Sequence, residues 1–222
     1  MNRKMIKLTI FASIAMASIQ VSAAGLDAGA WLVRGGVATV QPNDDSGTVT
    51  GIANSGVSVD SDTQLGLTVT YMLTENIGVG ILASTPFTHD VSGEGSISGL
   101  GKIVEATQLP PTVTLQYHFQ SESKYKPYIG AGVNYTIFFD EEASSSLEGA
   151  LGGPTTVSLD NSFGLALEAG IDIDISDGWY LNFAAWYIDI DTTAILNTGG
   201  TLRSVDVEID PWVWMAGFGK RF

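Results

Sequence analysis

Along the last eleven residues, Trp212 to Phe222 (WVWMAGFGKRF), broad apolar positions alternate with small or polar ones at a period of two. Successive side chains of a strand point to opposite faces. Trp212, Trp214, Ala216, Phe218 and Phe222 therefore share one face, and Val213, Met215, Gly217, Gly219 and Arg221 the other. The aromatic face suits lipid. In hydrocarbon, however, an open strand edge leaves N–H and C=O groups unpaired at a cost of several kcal/mol each. The pattern thus predicts that this strand closes onto another, as in a transmembrane β-barrel. The soluble alternative, the edge strand of a sandwich, is expected to be blunted with charge.

The same alternation recurs upstream. A first segment, Ala30 to Gln41, turns Trp31, Val33, Val37 and Thr39 outward and Arg34, Gly36 and Ala38 inward. Thr63 to Leu73 puts Leu65, Leu67, Val69 and Tyr71 out, and Ile77 to Thr85 puts Ile77, Val79, Ile81 and Ala83 out with Leu82 inside. A fourth segment runs from Thr112 to Phe119. A fifth, Pro127 to Phe139, places Tyr128, Asn134, Thr136 and Phe138 inward. Ser162 to Ile175 alternates Phe163, Leu165, Leu167, Ala169, Ile171 and Ile173 with Ser162, Gly164, Ala166, Glu168, Gly170, Asp172 and Asp174. In Trp179 to Asp191, an inward Asn182 brings Trp186 inside, and the terminal segment is taken from about Val205 to Phe222. Between these lie three short turns and four long stretches rich in Gly, Ser, Asp and Asn, which read as exposed loops. The prediction is an all-β protein, an eight-stranded antiparallel transmembrane barrel with four long extracellular loops, short periplasmic turns and both ends in the periplasm.

One feature interrupts the wall. Pro110 and Pro111 remove two consecutive ladder donors ahead of the fourth segment, so a lateral gap is expected between the third and fourth segments.

Composition adjusts this picture at the start of the chain. Arg3, Lys4 and Lys7, the uncharged run Leu8 to Val21 and the small residues up to Ala24 form a secretory signal peptide, expected to be cleaved after Ala23. Residues 1–23 are then excluded and 24–222 form one barrel domain. The remainder carries seven basic against 24 acidic residues, a net charge near −17. Such a balance argues against a nucleic-acid partner, since phosphate contacts need clustered Lys and Arg. The chain contains no cysteine, so neither disulfides nor thiolate chemistry enter.

Other candidate chemistry is sparse. Asp189 with Asp191, and Asp172 with Asp174, lack the spacing of a calcium loop, so no metal and no cofactor is expected. His89 lies among loop Ser and Asp residues, and His118 has no identifiable partner near the periplasmic end of its strand. The expectation is therefore not an enzyme.

Several segments in one order, GVATVQP at Gly36–Pro42, TQLGLTVTY at Thr63–Tyr71, NIGVGILASTP at Asn76–Pro86, Leu109-Pro110-Pro111-Thr112, KPYIGAGVNYTIFF at Lys126–Phe139, WYIDIDTT at Trp186–Thr193 and IDPWV at Ile209–Val213, resemble the OmpW family of bacterial outer-membrane proteins. The resemblance covers nearly the whole mature chain and departs most in the loops. It implies a barrel in the outer membrane of a Gram-negative bacterium with a narrow, hydrophobic interior. It also implies a passive conduit for small hydrophobic solutes with lateral release into the membrane. The family's constricted-channel positions match Leu82 and Trp186, which parity also turns inward, and Phe138 joins them as a channel-lining residue. These side chains are alternatively mere filling of a small barrel, which would make the chain a structural or adhesive barrel with functional loops. The inward charges Arg34, Glu168, Asp172, Asp174 and Arg221 form either a selective filter or, the preferred reading, a salt-bridge network plugging the periplasmic half. Trp214, Phe218 and Phe222 resemble the signal by which the barrel assembly machinery recognises such strands. The expected partners are thus outer-membrane lipid, small hydrophobic solutes and that machinery.

Overall fold

The computed structural model describes residues 26–222; the expected signal peptide lies outside the described residues. In chain order the elements are β1 (Trp31–Gln41), β2 (Asp45–Ser46), β3 (Ser55–Val59), β4 (Asp62–Met72), β5 (Ile77–Ser84), β6 (Phe87–Gly95), β7 (Lys102–Leu109), β8 (Thr112–His118), β9 (Tyr125–Ala143), α1 (Ser145–Leu151), β10 (Thr155–Leu159), β11 (Ser162–Ser176), β12 (Trp179–Ile188), β13 (Asp191–Thr198), β14 (Thr201–Glu208) and β15 (Trp212–Arg221). Eight of them, β1, β4, β5, β8, β9, β11, β12 and β15, form a closed antiparallel wall. Closure is made by β15 on β1, in register from Leu32↔Arg221 to Gln41↔Trp212. Trp31 and Phe222 then exchange two backbone hydrogen bonds of 3.0 and 2.9 Å at the end of the seam. This leaves no edge in the hydrocarbon layer, which is the condition for strands to cross it.

The wall obeys the predicted parity. Leu65, Ile81, Phe163, Leu165, Leu167, Trp214 and Phe218 stand exposed on the outside, and Arg34, Thr70, Gln116, Asn134, Glu168, Asp172 and Asn182 are buried inside. A continuous exposed apolar belt of this size is a lipid-facing surface. Glycines make the narrow interior possible: a Cβ at Gly170 would strike the Tyr128 ring and one at Gly219 the Tyr180 ring.

Two expectations need correction. The four long loops are not irregular. β6 and β7 pair above β5 and β8, β3 adds to β6, and β7 continues along the upper half of β9. Opposite them, β10, β13, β14 and β2 make a second sheet. These strands extend the barrel into water, where the useful alternation is reversed. Val205, Val207 and Leu196 now face in, while Asp206, Glu208 and Asn197 face out. Half of their positions are polar because half are hydrated, which in the sequence looks like a loop. The second correction concerns the terminal strand, which does not reach back to Val205. Asp210 adopts φ of 37° and Pro211 follows it, so β14 ends at Glu208 and β15 starts afresh at Trp212. The seventh segment likewise ends at Ile188, and Asp191 opens β13 in the other sheet.

Candidate functional site

The lumen changes character along its axis. At the periplasmic end Arg34 is fully buried and grips Asp172 with two bonds, Nε to Oδ1 at 3.0 Å and Nη2 to Oδ2 at 2.8 Å. Asn182 also donates to Asp172 Oδ1 at 2.8 Å and to the Tyr128 hydroxyl at 3.0 Å. The guanidinium lies 4.9 Å from the Tyr128 ring centroid and 5.6 Å from that of Tyr180. Beside this pair, Arg221 meets Asp174 at 3.2 Å in a half-exposed contact nearer the opening.

Glu168 requires a correction. Among the described residues it forms no ion pair; its carboxylate accepts from the Thr114 hydroxyl at 2.6 Å and from Gln116 Nε2 at 2.9 and 3.0 Å. The predicted charges are nonetheless joined. Arg34 donates to Thr70 at 2.9 Å, and Thr70 donates to Gln116 at 3.1 Å, so neutral side chains carry the network from Arg34 to Glu168. His118 is no solitary residue either. It stacks on Tyr128 at 4.9 Å, and its Nε2 meets Gln116 Oε1 at 3.1 Å. Thr70, Gln116, Asn182 and Tyr128 were visible in the sequence only as inward positions. Their inward parity and polarity were the sole signal. Such a filled, hydrogen-bonded layer leaves little room for an apolar solute to pass.

Above it the interior turns apolar. Leu82, Trp186 and Phe138 are buried in one contiguous hydrophobic cluster with Ala38, Val40, Ala166, Ile188, Val213 and Met215. Over this floor the extension encloses a cavity of about 400 Å³. Val49, Val57, Val104, Leu147, Val157, Leu196, Val205 and Ile209 are among its walls. Phe138 lines the cavity; Leu82 and Trp186 do not, since they lie lower in the cluster. The cavity is thus built mainly by the segments that the sequence presented as loops.

The wall is interrupted beside this cavity. β5 and β8 pair from Ile77↔Tyr117 to Leu82↔Thr112, and pairing resumes only at Phe87↔Gln108, where β6 meets β7. Ser84 and Pro110 would be partners if the β5–β8 register continued. Instead the register shifts by one residue across the interruption. On one side Thr85 N–H turns to Leu65 O at 2.9 Å, and on the other Pro111 O accepts from Tyr135 N–H at 3.1 Å. Each flank is tied to its own neighbour. Pro110 and Pro111 cannot supply donors to bridge them.

His89 is also corrected, because it is buried in β6 rather than exposed in a loop. It lines the cavity with Gln108, 2.9 Å away between their Nε2 atoms. Burial holds its imidazole below the ordinary pKa. Asp189 and Asp191 come together with Asp210, their nearest oxygens within 4.8 Å of one another. Partial burial and the other two carboxylates hold Asp191 above the usual carboxylate range. Among the assembly-signal residues, Trp214 and Phe218 are exposed on the outer face, and Phe222 lies on the closing seam.

Comparison with known proteins gives one consistent answer. The model of the OmpW family matches residues 27–222. The chain is 45% identical to Outer membrane protein W of Vibrio cholerae over 196 residues, 87% of this chain and 89% of that protein. It superposes on the crystal structure of the outer membrane protein OprG from Pseudomonas aeruginosa with a TM-score of 0.82 at 44% identity, covering 89% of this chain and 98% of the other. A more distant relative, the Dibenzothiophene metabolism operon protein PahQ of Pseudomonas aeruginosa, is 30% identical over 154 residues, 68% of each protein.

Proposed function

The chain belongs to the OmpW family and is a β-barrel of the Gram-negative outer membrane; from that premise we propose that it is a passive, non-catalytic conduit for small hydrophobic solutes, releasing them sideways into the membrane. The observation that carries this reading is the position of the apolar cavity, which sits above a hydrogen-bonded plug and beside an interruption in the wall. A solute that enters from outside meets Arg34, Asp172 and Glu168 below it. Through the interruption it meets lipid. Leaving an apolar pocket for water costs about 25 cal/mol per Å² of apolar surface, so the lateral route is favoured. Dibenzothiophene, in whose metabolism operon PahQ is named, is an apolar compound of the class such a cavity accepts.

In this reading Phe138 is part of the wall against which the solute turns, Leu82 and Trp186 pack beneath the cavity as the apolar layer that supports it, and Pro110 and Pro111 keep the exit open. Replacing both prolines by Val supplies ladder donors and should slow transfer of a hydrophobic dye into the membrane of liposomes holding equal amounts of folded protein. Transfer at the parent rate would instead favour a filled barrel whose exterior is the functional part. The exposed Trp214 and Phe218 and the terminal Phe222 serve as the recognition strand for the assembly machinery. Deleting Phe222 should strongly lower the heat-modifiable fraction in outer membranes.

A further inference from the structure

Gln108 occupies a singular place in the cavity. It is 2% exposed, lies on the inward face of β7, and sits at the first pair formed beyond the interruption in the wall. Its carboxamide orientation is dictated by a relay of bonds. Asp60 O, a carbonyl, can only accept, so the His89 Nδ1 against it must carry the proton. Burial favours the neutral imidazole, which leaves a lone pair on Nε2. Gln108 Nε2 is the atom facing it, at 2.9 Å, and donates. Reversing the carboxamide would set two lone pairs against each other. The other end of the group, Oε1, is left buried without a partner.

Among the described residues, the other buried side-chain atoms without partners belong to Thr68, His118, Tyr180, Asn182 and Arg221, all on wall strands outside the cavity lining. Of these residues, Gln108 alone lines the cavity. The hydroxyls of Ser96 and Thr192, which also line it, donate to Ala53 O and Asp160 O. Arg203 lies near the outer hairpin tip, opposite Leu196. A buried carbonyl oxygen without a donor is unfavourable, and a bound donor removes the penalty. Oε1 is covered in this conformation, so a donor reaches it when the apolar side chains over it give way, the amide keeping its bond to His89.

We propose that Gln108, oriented by His89 and Asp60, is the specificity contact of the conduit and selects apolar solutes bearing one neutral hydrogen-bond donor, an alcohol or a phenol. This rests on the conduit reading and narrows it. A carboxylate would face the amide oxygen with another acceptor, and an ammonium would lose its hydration for a single contact. A hydrocarbon or a heterocycle without a donor is still accepted by the apolar walls but leaves Oε1 unsatisfied, so the contact sets a preference among the conduit's solutes.

The test compares n-decanol with its isomer nonyl methyl ether, which has the same atoms and no donor. Affinity for refolded protein is measured for the parent and for Gln108→Met, which keeps the volume and removes the amide. The alcohol-to-ether affinity ratio should fall about tenfold in the variant, the scale of one hydrogen bond. An unchanged ratio, with both solutes still bound, overturns the selection while leaving the conduit reading intact. Binding of neither solute to the parent removes both. On the parent alone, the NMR shift of the Gln108 side-chain carbonyl should respond to the alcohol and not to the ether; an equal response to both also overturns the proposal.

Discussion

The wall and its extension are built from the same strand geometry with opposite chemistry. Within the membrane, Leu165, Leu167 and Phe218 face out and Arg34, Asn182 and Asp172 face in; above it, Asp206 and Glu208 face out and Val205 and Val207 face in. A single strand, β9, crosses the boundary. Its lower inward residues include Tyr128, Asn134 and Thr136, its upper one is Phe138, and a register shift near Asp140 with φ of 54° marks the change. At the two ends of the barrel the inward polarity complements the solvent outside, and Leu82, Trp186 and Met215, inward on wall strands, form an apolar layer between them. Where lipid takes the apolar face, the polar face is left to form the plug, and where water takes the polar face, the apolar face is left to form a cavity. The boundary between the two regimes is also where the β5–β8 pairing stops.

The largest expected effect lies in the plug. Arg34→Met leaves Asp172 buried without its partner and should cost about 3–5 kcal/mol in reversible lipid refolding. Adding Asp172→Leu should return most of that loss, because the uncompensated charge is then gone. A smaller effect tests the inversion itself. Leu167→Arg places charge in lipid and should cost about 2–4 kcal/mol near the midplane, whereas Ser158→Arg, on the outward face of β10, should stay within about 0.5 kcal/mol. Equal costs would mean that the extension is not hydrated as described.

The smallest effect belongs to His89. Its folded pKa lies below the ordinary 6.5, with burial the main cause. As pH falls through 6.5 the unfolded imidazole takes up a proton before the folded one does, so the unfolded state binds more protons and stability declines until the folded pKa is reached. The protection of β6 and β7 amides, taken relative to the intrinsic exchange rate at each pH, should therefore fall as the pH is lowered from about 7.5 to about 5.5. Exchange in β11, inside the membrane, should not follow.

This inversion also explains what could be read in advance. Eight wall strands, their parity and the closing seam were legible because lipid-facing residues such as Phe163, Leu165 and Leu167 form long runs interrupted only by inward positions. The strands of the extension were not. In Phe87-Thr88-His89-Asp90-Val91 the period of two is present, yet Thr88 and Asp90 carry the polarity of a loop. The missing ladder donors at Pro110 and Pro111 follow from covalent chemistry alone, and their use as an exit belongs to the proposed function. Inward Gln116, Asn182 and Thr70 could be assigned to the lumen but not to partners, since hydrogen-bond networks link strands far apart in sequence, Arg34 and Asp172 being 138 residues apart. The cavity escaped for the same reason, as its walls come from every long connection at once.

The central claim is that solute leaves through the wall between β5 and β8, and the absence of native cysteine permits a reversible test. In a variant carrying Ser84→Cys and Pro110→Cys, the two thiols stand on the facing flanks of the interruption, at the positions that a continued β5–β8 register would pair, so a disulfide between them draws the flanks together. Transfer of a hydrophobic dye into the liposome membrane is followed under oxidising conditions and again after reduction, with Pro110→Cys alone as the control. Slow transfer when oxidised and recovery on reduction is the predicted result. An oxidised, fully cross-linked variant that transfers dye as fast as its reduced form would contradict lateral release.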